Sequence, residues 1–306
     1  MHQVKEPGGN AVALDDGSVH AEALERLELV RDLPCAFRRG ELHLVFQPIV
    51  SMDDHEPLGM EALIRWAHPT LGVLLPMRFI RLAEEIDLIG EIGLWVLDEA
   101  LNQLVVCRRV EGMENLTVSV NLSPFQLRDE LLVPRIGRLL SRHGLAGSAL
   151  NLEIAESATI TDPEAVVEAL NSLKSLGVRL TVDDFGTEYL SLAYLHRWPV
   201  DSLKLHRGLI EALGDNHSSS ASLLAAILGM SCALGVHPIA VGVETSEHAR
   251  TLVDLGYDIA QGYLYARPAR ADQIIDVLNL LSAGPHAGGA TLDACDLAPA
   301  LAGRRG

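Results

Sequence analysis

Five short apolar runs in this chain each end in a carboxylate, an amide or an amine: Leu116–Asn121, Leu150–Glu153, Val178–Asp184, Ser202–Lys204 and Ile239–Glu244. A sixth run, Leu58–Arg65, carries Glu61 in its middle. Amphipathic or apolar stretches of helical length lie between most of them. Such a rhythm predicts repeated strand–helix units, and so a parallel sheet covered on its faces. If that sheet closes into a β/α barrel, polar residues at the C-terminal ends of its strands converge on one site. The ordered set of strand-end groups therefore constrains this chain more than any single motif does.

The 306 residues suffice for one large α/β barrel or two ordinary domains. A net charge of −17 argues against general nucleic-acid or membrane-surface binding, since phosphate backbones require basic patches. A small anionic ligand stays compatible with that charge if metals or local cations offset the acidic field. Cys35, Cys107, Cys232 and Cys295 are far apart and lack zinc-type spacing, which reads as thiols of a reducing compartment. Met1–Gly17 has no basic segment followed by an apolar core, so a signal peptide is not expected. The most apolar region, Leu223–Val243, is interrupted by Gly235 and His237-Pro238; a helix followed by a buried strand is expected there, with no membrane insertion.

Residues 1–19 show no periodicity and are expected to be disordered. Leu24, Leu27 and Val30 recur at helical spacing in 20–40, where Pro34 is expected to break or kink the helix. The barrel is expected over 41–282, followed by a flexible Gly/Ala-rich tail at 283–306. Strands are predicted at 42–49, 58–65, 116–121, 150–155, 178–183, 202–205, 238–243 and 258–261. Helices are predicted at 76–87, 92–109, 131–143, 163–175, 219–234, 246–255 and 271–281. Asp162-Pro163 has the chemistry of a helix start, as does Thr245 or Ser246 with Glu247 in the first turn. The connection at Asp53–Pro57 is too short for a crossover helix, so the first two strands are expected to be antiparallel.

Strand alternation places Glu61, Leu63 and Arg65 on one face. Their carboxylate and guanidinium suit a metal and a phosphate, or equally a structural ion pair. Asp183-Asp184-Phe185-Gly186 follows a buried strand. Adjacent carboxylates raise each other's pKa unless cations intervene, and they can bridge two metal ions; an acidic helix-capping loop is the plainer alternative. Lys204, at the end of a short apolar strand, suits a salt bridge or the activation of a water. His206 lies two residues on and is expected on the same face, as an ordinary hydrogen-bonding side chain or as a ligand.

These motifs, taken together, resemble the EAL family of cyclic di-GMP phosphodiesterases over residues 41–268. The resemblance rests on Gln47-Pro48-Ile49, Glu61-Ala62-Leu63-Ile64-Arg65-Trp66 with His68-Pro69, Phe79-Ile80, and Leu82-Ala83-Glu84. It continues through Val120-Asn121-Leu122-Ser123, Leu152-Glu153-Ile154 with Glu156-Ser157, and Asp183-Asp184-Phe185-Gly186-Thr187. Val200-Asp201-Ser202-Leu203-Lys204 and Gln261-Gly262-Tyr263-Leu264 complete it. The helix at 20–40 is similar to segments that join such domains to an upstream signalling domain. The resemblance implies a modified (β/α)8 TIM-type barrel with one antiparallel strand, and a cyclic di-GMP site at its mouth. It implies one Mg²⁺ or Mn²⁺ held by Glu61, Asn121, Glu153 and Asp183, and a second reached by Asp183 and Asp184. It assigns Lys204 and Glu156 to catalysis, Lys204 by assisting the attacking water and Glu156 by anchoring the loop after the Asp-Asp pair. Gln47, Leu63, Arg65, Asp184, Glu244 and Gln261 fall to ligand binding, with Arg65 on a phosphate.

The chain departs from the family pattern at three places. Val241 stands where the family places a second-metal glutamate, and His206 where it places an aspartate serving that metal. Glu188 replaces a loop glycine. Valine has no donor atom, and loss of even an outer-shell partner typically lowers metal affinity or activity about 10–100-fold. The reading that follows is a cytoplasmic module that binds cyclic di-GMP with weak or no hydrolysis. Its alternatives are a working phosphodiesterase, with His206 as a substitute ligand, and a ligand-free protein-interaction barrel. A homodimer is expected through barrel-edge helices and the 185–192 loop, with room for a protein partner and no role for nucleic acid.

Overall fold

A computed structural model describes residues 16–156, 163–187, 195–213 and 217–283. Its strands are β1 (Leu42–Ser51), β2 (Pro57–His68), β3 (Gly72–Leu74), β4 (Thr117–Leu122), β5 (Leu150–Ala155), β6 (Arg179–Phe185), β7 (Ser202–Leu205), β8 (His237–Val241), β9 (Ile259–Gln261) and β10 (Ala269–Arg270). The helices are α1 (Asp16–Arg39), α2 (Ile80–Glu85), α3 (Ile89–Cys107), α4 (Leu132–His143), α5 (Pro163–Lys174), α6 (Arg207–Glu211), α7 (His217–Leu234), α8 (Ser246–Leu255) and α9 (Ile274–Ser282).

Neighbouring strands run β1-β9-β8-β7-β6-β5-β4-β2, and β1 pairs with β2 to close an eight-stranded barrel. From β2 through β4 to β9 the strands are parallel. β1 is antiparallel to β2, with Gln47 opposite Glu61, and also antiparallel to β9, with Val50 opposite Ala260. The short β1–β2 connection thus has the consequence expected of it: the chain reverses with no crossover helix. β3 and β10 extend the sheet outside the closed ring.

The parallel strands are largely buried because helices cover them; β5 is buried along nearly its whole length. Phe46, Trp66 and Phe79 are fully buried, with the Trp66 and Phe79 rings edge-to-face at 5.7 Å. Thr245 caps α8, its side chain accepting from the His248 N–H at 3.1 Å. Gly235, at φ 70°, ends α7 in a left-handed conformation that a side chain would strain, and β8 follows at once. No described helix is long and apolar enough to cross a membrane.

Several local expectations are corrected. α1 begins at Asp16, inside the stretch expected to be disordered, and continues through Pro34 to Arg39. Proline removes one helical hydrogen bond, but Leu29, Leu33 and Ala36 are buried against the barrel and hold the helix together through that position. The helix expected at 76–87 is instead a 3₁₀ turn at Pro76–Arg78 followed by the short α2. Of the cysteines, Cys107 is buried, Cys35 half-buried and Cys232 exposed, all three free. Residues 1–15, Asp162, Glu188, Cys295 and the tail from 284 lie outside the described residues.

Candidate functional site at the barrel mouth

Strand register decides which predicted site residues meet. Glu61 lies opposite Ser119 and Asn121 opposite Glu153, so β2, β4 and β5 raise their polar groups at successive heights towards the C-terminal end. β7 supplies Lys204 and β9 supplies Gln261. Glu61 is the centre of the cluster. Its Oε2 accepts from Lys204 Nζ at 2.7 Å and from Gln261 Nε2 at 2.8 Å, while its Oε1 accepts from Asn121 Nδ2 at 2.8 Å. Lys204 Nζ also donates to Glu153 Oε2 at 2.8 Å. Gln261 Nε2 reaches Gln47 Oε1 at 3.3 Å, and Gln47 Nε2 donates to the Ala266 carbonyl at 3.2 Å.

These charges are deeply enclosed: Glu61 is 6 % exposed, Glu153 1 % and Lys204 2 %. Burial opposes charge on Lys204, but Glu153, Glu61 and Asp183 outweigh it and hold the ammonium well above its ordinary pKa. Burial likewise opposes charge on Glu61, yet Lys204, with hydrogen bonds from Gln261 and Asn121, pulls its carboxyl below the usual range. Glu153 is pushed well above the usual range by burial and by the Glu61 charge. Asp183 is raised as well, chiefly by burial.

Three carboxylates thus share one ammonium. Glu153 Oε1 is buried with no hydrogen-bond partner among the described residues. A buried carboxylate oxygen without a donor is costly, and a cation beside it would remove that cost. The donors present are all oxygens, the set a hard divalent cation prefers. The residues present therefore fit Mg²⁺ or Mn²⁺. Among the described residues, no three His, Cys, Asp or Glu side chains are yet gathered at ligating distance, and the Lys204 ammonium stands between Glu61 and Glu153.

The remaining predicted residues border this cluster. Arg65 is half-buried, donating from Nη1 to the Ile64 carbonyl at 2.9 Å; burial lowers its pKa, with Tyr263 and Glu61 opposing. Leu63 is half-buried on the same strand, and Glu244 is exposed. Asp184 is exposed and holds a left-handed backbone, φ 55°, which is uncommon for a residue with a side chain. Glu156 Oε2 accepts from the Gly186 N–H at 3.0 Å and so ties down the backbone just after that turn.

Val241 ends β8 opposite Gln261 and is half-buried. His206 follows directly on β7, its N–H donating to the Phe185 carbonyl at 3.1 Å. β7 stops at Leu205, and His206 turns to cap α6, its Nδ1 accepting from the Gly208 N–H at 3.2 Å. Strand alternation ceases where the strand does.

Two further features flank the cluster. Arg267 sits over the Tyr263 ring at 4.4 Å, beside Arg65. The segment Ser123-Pro124-Phe125-Gln126 has the S-x-x-Q spacing of a capping box, a signal available in the sequence.

Comparison with known proteins agrees with this geometry. The EAL domain family model matches residues 30–268. The chain is 38 % identical over 275 residues to the bifunctional diguanylate cyclase/cyclic di-GMP phosphodiesterase MucR of Pseudomonas aeruginosa, covering 90 % of this chain and 40 % of MucR. It is 37 % identical over 268 residues to the cyclic di-GMP phosphodiesterase NbdA of the same organism, covering 88 % of this chain and 34 % of NbdA. The chain thus spans about two fifths or less of the length of these curated relatives. Among solved structures, the MucR phosphodiesterase in complex with cyclic di-GMP superposes with a TM-score of 0.76 at 39 % identity, covering 81 % of this chain and 99 % of that one. The EAL enzyme Bd1971 with cAMP and cyclic di-GMP bound gives 0.79 at 28 %, covering 86 % and 72 %. With the barrel, the strand-end cluster and the family match in agreement, this chain belongs to the EAL domain family.

Proposed function

We propose that the barrel mouth binds cyclic di-GMP and that hydrolysis there is weak or absent. The observation that carries this reading is the contrast between the hydrogen-bonded set of Glu61, Glu153, Lys204, Asn121 and Gln261 and a rim that lacks ligands. Glu61, Asn121, Glu153 and Asp183 would hold one Mg²⁺ or Mn²⁺. Such a cation supplies Lewis-acid stabilisation of a phosphoryl oxygen and a more acidic bound water. The chain's own residues do the rest. Arg65 offers a guanidinium fork to a phosphate, with Gln47, Leu63, Glu244 and Gln261 lining the ligand. Lys204 is the one buried ammonium of the cluster and is placed to orient a water. Glu156 steadies the turn that carries Asp184 through its bond to Gly186.

A second cation would rely on Asp183, Asp184 and the positions of His206 and Val241. Valine has nothing to coordinate with, and His206 Nδ1 is engaged at the start of α6. Two carboxylates fewer also leave the mouth less repulsive to an anionic ligand, so binding outlasts catalysis. The working phosphodiesterase is a second reading because His206 keeps its other ring nitrogen, and imidazole is a good ligand for several transition metals. A cytoplasmic homodimer, with dimerisation through barrel-edge helices, belongs to the same proposal, and sedimentation tests it. The central experiment pairs calorimetric titration with cyclic di-GMP and a turnover assay in Mg²⁺ and in Mn²⁺. Binding without turnover supports the proposal, turnover supports the second reading, and no binding removes both.

A further inference from the structure

Asn121 is held by the sheet on one side only at its height. The β2–β4 ladder stops at Ala62 and Val120, whereas β4–β5 continues to Leu122 and Ile154. What fixes the end of β4 on its open side is the turn that follows. Ser123 Oγ donates to Glu84 Oε1 at 2.6 Å, a short charge-assisted bond to a residue of α2. The same oxygen accepts from the Phe125 N–H at 3.1 Å, and the Ser123 N–H donates to Gln126 Oε1 at 3.1 Å. Gln126 N–H returns to the Ser123 carbonyl at 3.0 Å. The turn is thus a capping box closed on itself and moored to a separate helix.

The mooring continues into α3. Gln126 is buried and packs against Gly93, where an added Cβ would lie 2.0 Å from Gln126 Nε2. Only a glycine at that point leaves room for the amide. Gly93 lies on α3, and the Gln126 amide links it to the turn at Ser123. Rigid support of this kind governs how precisely a ligand group is presented.

We propose that Ser123, Gln126 and Glu84, with the notch at Gly93, are positioning residues that set the placement of Asn121 and so the cation affinity of the mouth. The inference rests on the cation reading given above. Its test is Mn²⁺ titration, by calorimetry and by the electron paramagnetic resonance signal of free Mn²⁺, on the whole chain without nucleotide. Ser123→Val and Ser123→Thr are nearly equal in volume and differ in the hydroxyl. Valine at 123 is expected to weaken Mn²⁺ binding about tenfold, the lower end for loss of an outer-shell partner, while threonine restores it to within about twofold of wild type. Gly93→Ala is expected to weaken binding similarly from a position remote from the cation. Thermal melts set the titration temperature below the transition of every variant, so that lost folding is not read as lost affinity. Should any variant fail to fold, Glu84→Gln, which keeps the shape and removes the charge, supplies the comparison. Wild-type binding with unchanged affinity in the valine and Gly93 variants overturns this inference alone. A wild-type protein that takes up no Mn²⁺ overturns the cation reading and this inference with it.

Discussion

The two sides of the barrel mouth are built differently. On the Glu61 side, each side-chain oxygen of a 6 % exposed carboxylate has a donor, and the residues sit within strands whose register fixes their height. On the Asp184 side, Asp184 falls in the irregular end of β6, His206 just past β7, and Val241 at the last paired position of β8. Asp184 is left-handed and exposed, His206 spends a ring nitrogen on a helix cap, and Val241 has no polar atom. Groups within the ladder are positioned by the fold whether or not a ligand is present. Asp184 and His206 depend on local turns. The comparison teaches that the two sides differ in structural support, and the proposed separation of binding from catalysis rests on that difference.

The sharpest way to break the comparison is to remove the cation that the buried side contains. Lys204→Met leaves Glu61, Glu153 and Asp183 without their ammonium. Stripping one partner from a buried pair typically destabilises by about 3–5 kcal/mol. Urea unfolding is expected to show a loss of that size, partly recovered in millimolar Mg²⁺. A loss below about 1 kcal/mol would mean that the cluster is far better hydrated than its burial indicates.

Ligand binding comes next in size. Arg65→Ala is expected to weaken cyclic di-GMP binding by at least about 1.5 kcal/mol, or more than tenfold, since hydrogen bonds to charged groups lie in that range. Calorimetry with unchanged affinity would place the phosphates elsewhere.

A pH measurement sharpens the buried side further. Glu153 has a raised pKa in the folded chain, so above its ordinary value of 4.5 the native state holds a proton that the unfolded state has released. Its contribution to stability therefore falls as pH rises through that window, by up to about 1.4 kcal/mol per pH unit for one proton. Glu153→Gln is expected to flatten the slope of unfolding free energy above pH 4.5 in metal-free buffer. A slope unchanged by the substitution would show that Glu153 is ionised throughout.

The smallest effect tests the rim. His206→Ala removes the cap of a five-residue helix and is expected to lower stability by only about 0.5 kcal/mol, the low end for caps. A much larger loss by thermal melt would show that this rim is as integral as the buried side.

Much of this division was legible in the sequence, and the illegible parts have a physical pattern. Six of the eight barrel strands are legible as apolar runs that carry a polar group at or near their end, and the antiparallel start follows from a connection too short for a helix. β3, β10 and α6, at three, two and five residues, are too short to carry a period. Pro34 misled because burial of Leu29 and Leu33 outweighs one missing hydrogen bond. The convergence of Glu61, Asn121, Glu153, Lys204 and Gln261 could be anticipated because strand ends share a mouth. That His206 caps a helix could not, since alternation gives no sign of where a strand will stop.

The central claim is that catalysis is limited by two positions on the rim while the Glu61 side keeps Glu61, Asn121, Glu153 and Asp183. Val241→Glu with His206→Asp restores carboxylates at both, and groups that act as a unit respond together where single changes do little. The decisive measurement is turnover of cyclic di-GMP to the linear dinucleotide by wild type and by the double variant in saturating Mn²⁺. The account predicts at least about tenfold faster turnover in the double variant. Robust wild-type turnover that the double substitution leaves flat or lowers would contradict it, and would mean that His206 or another group already completes the site.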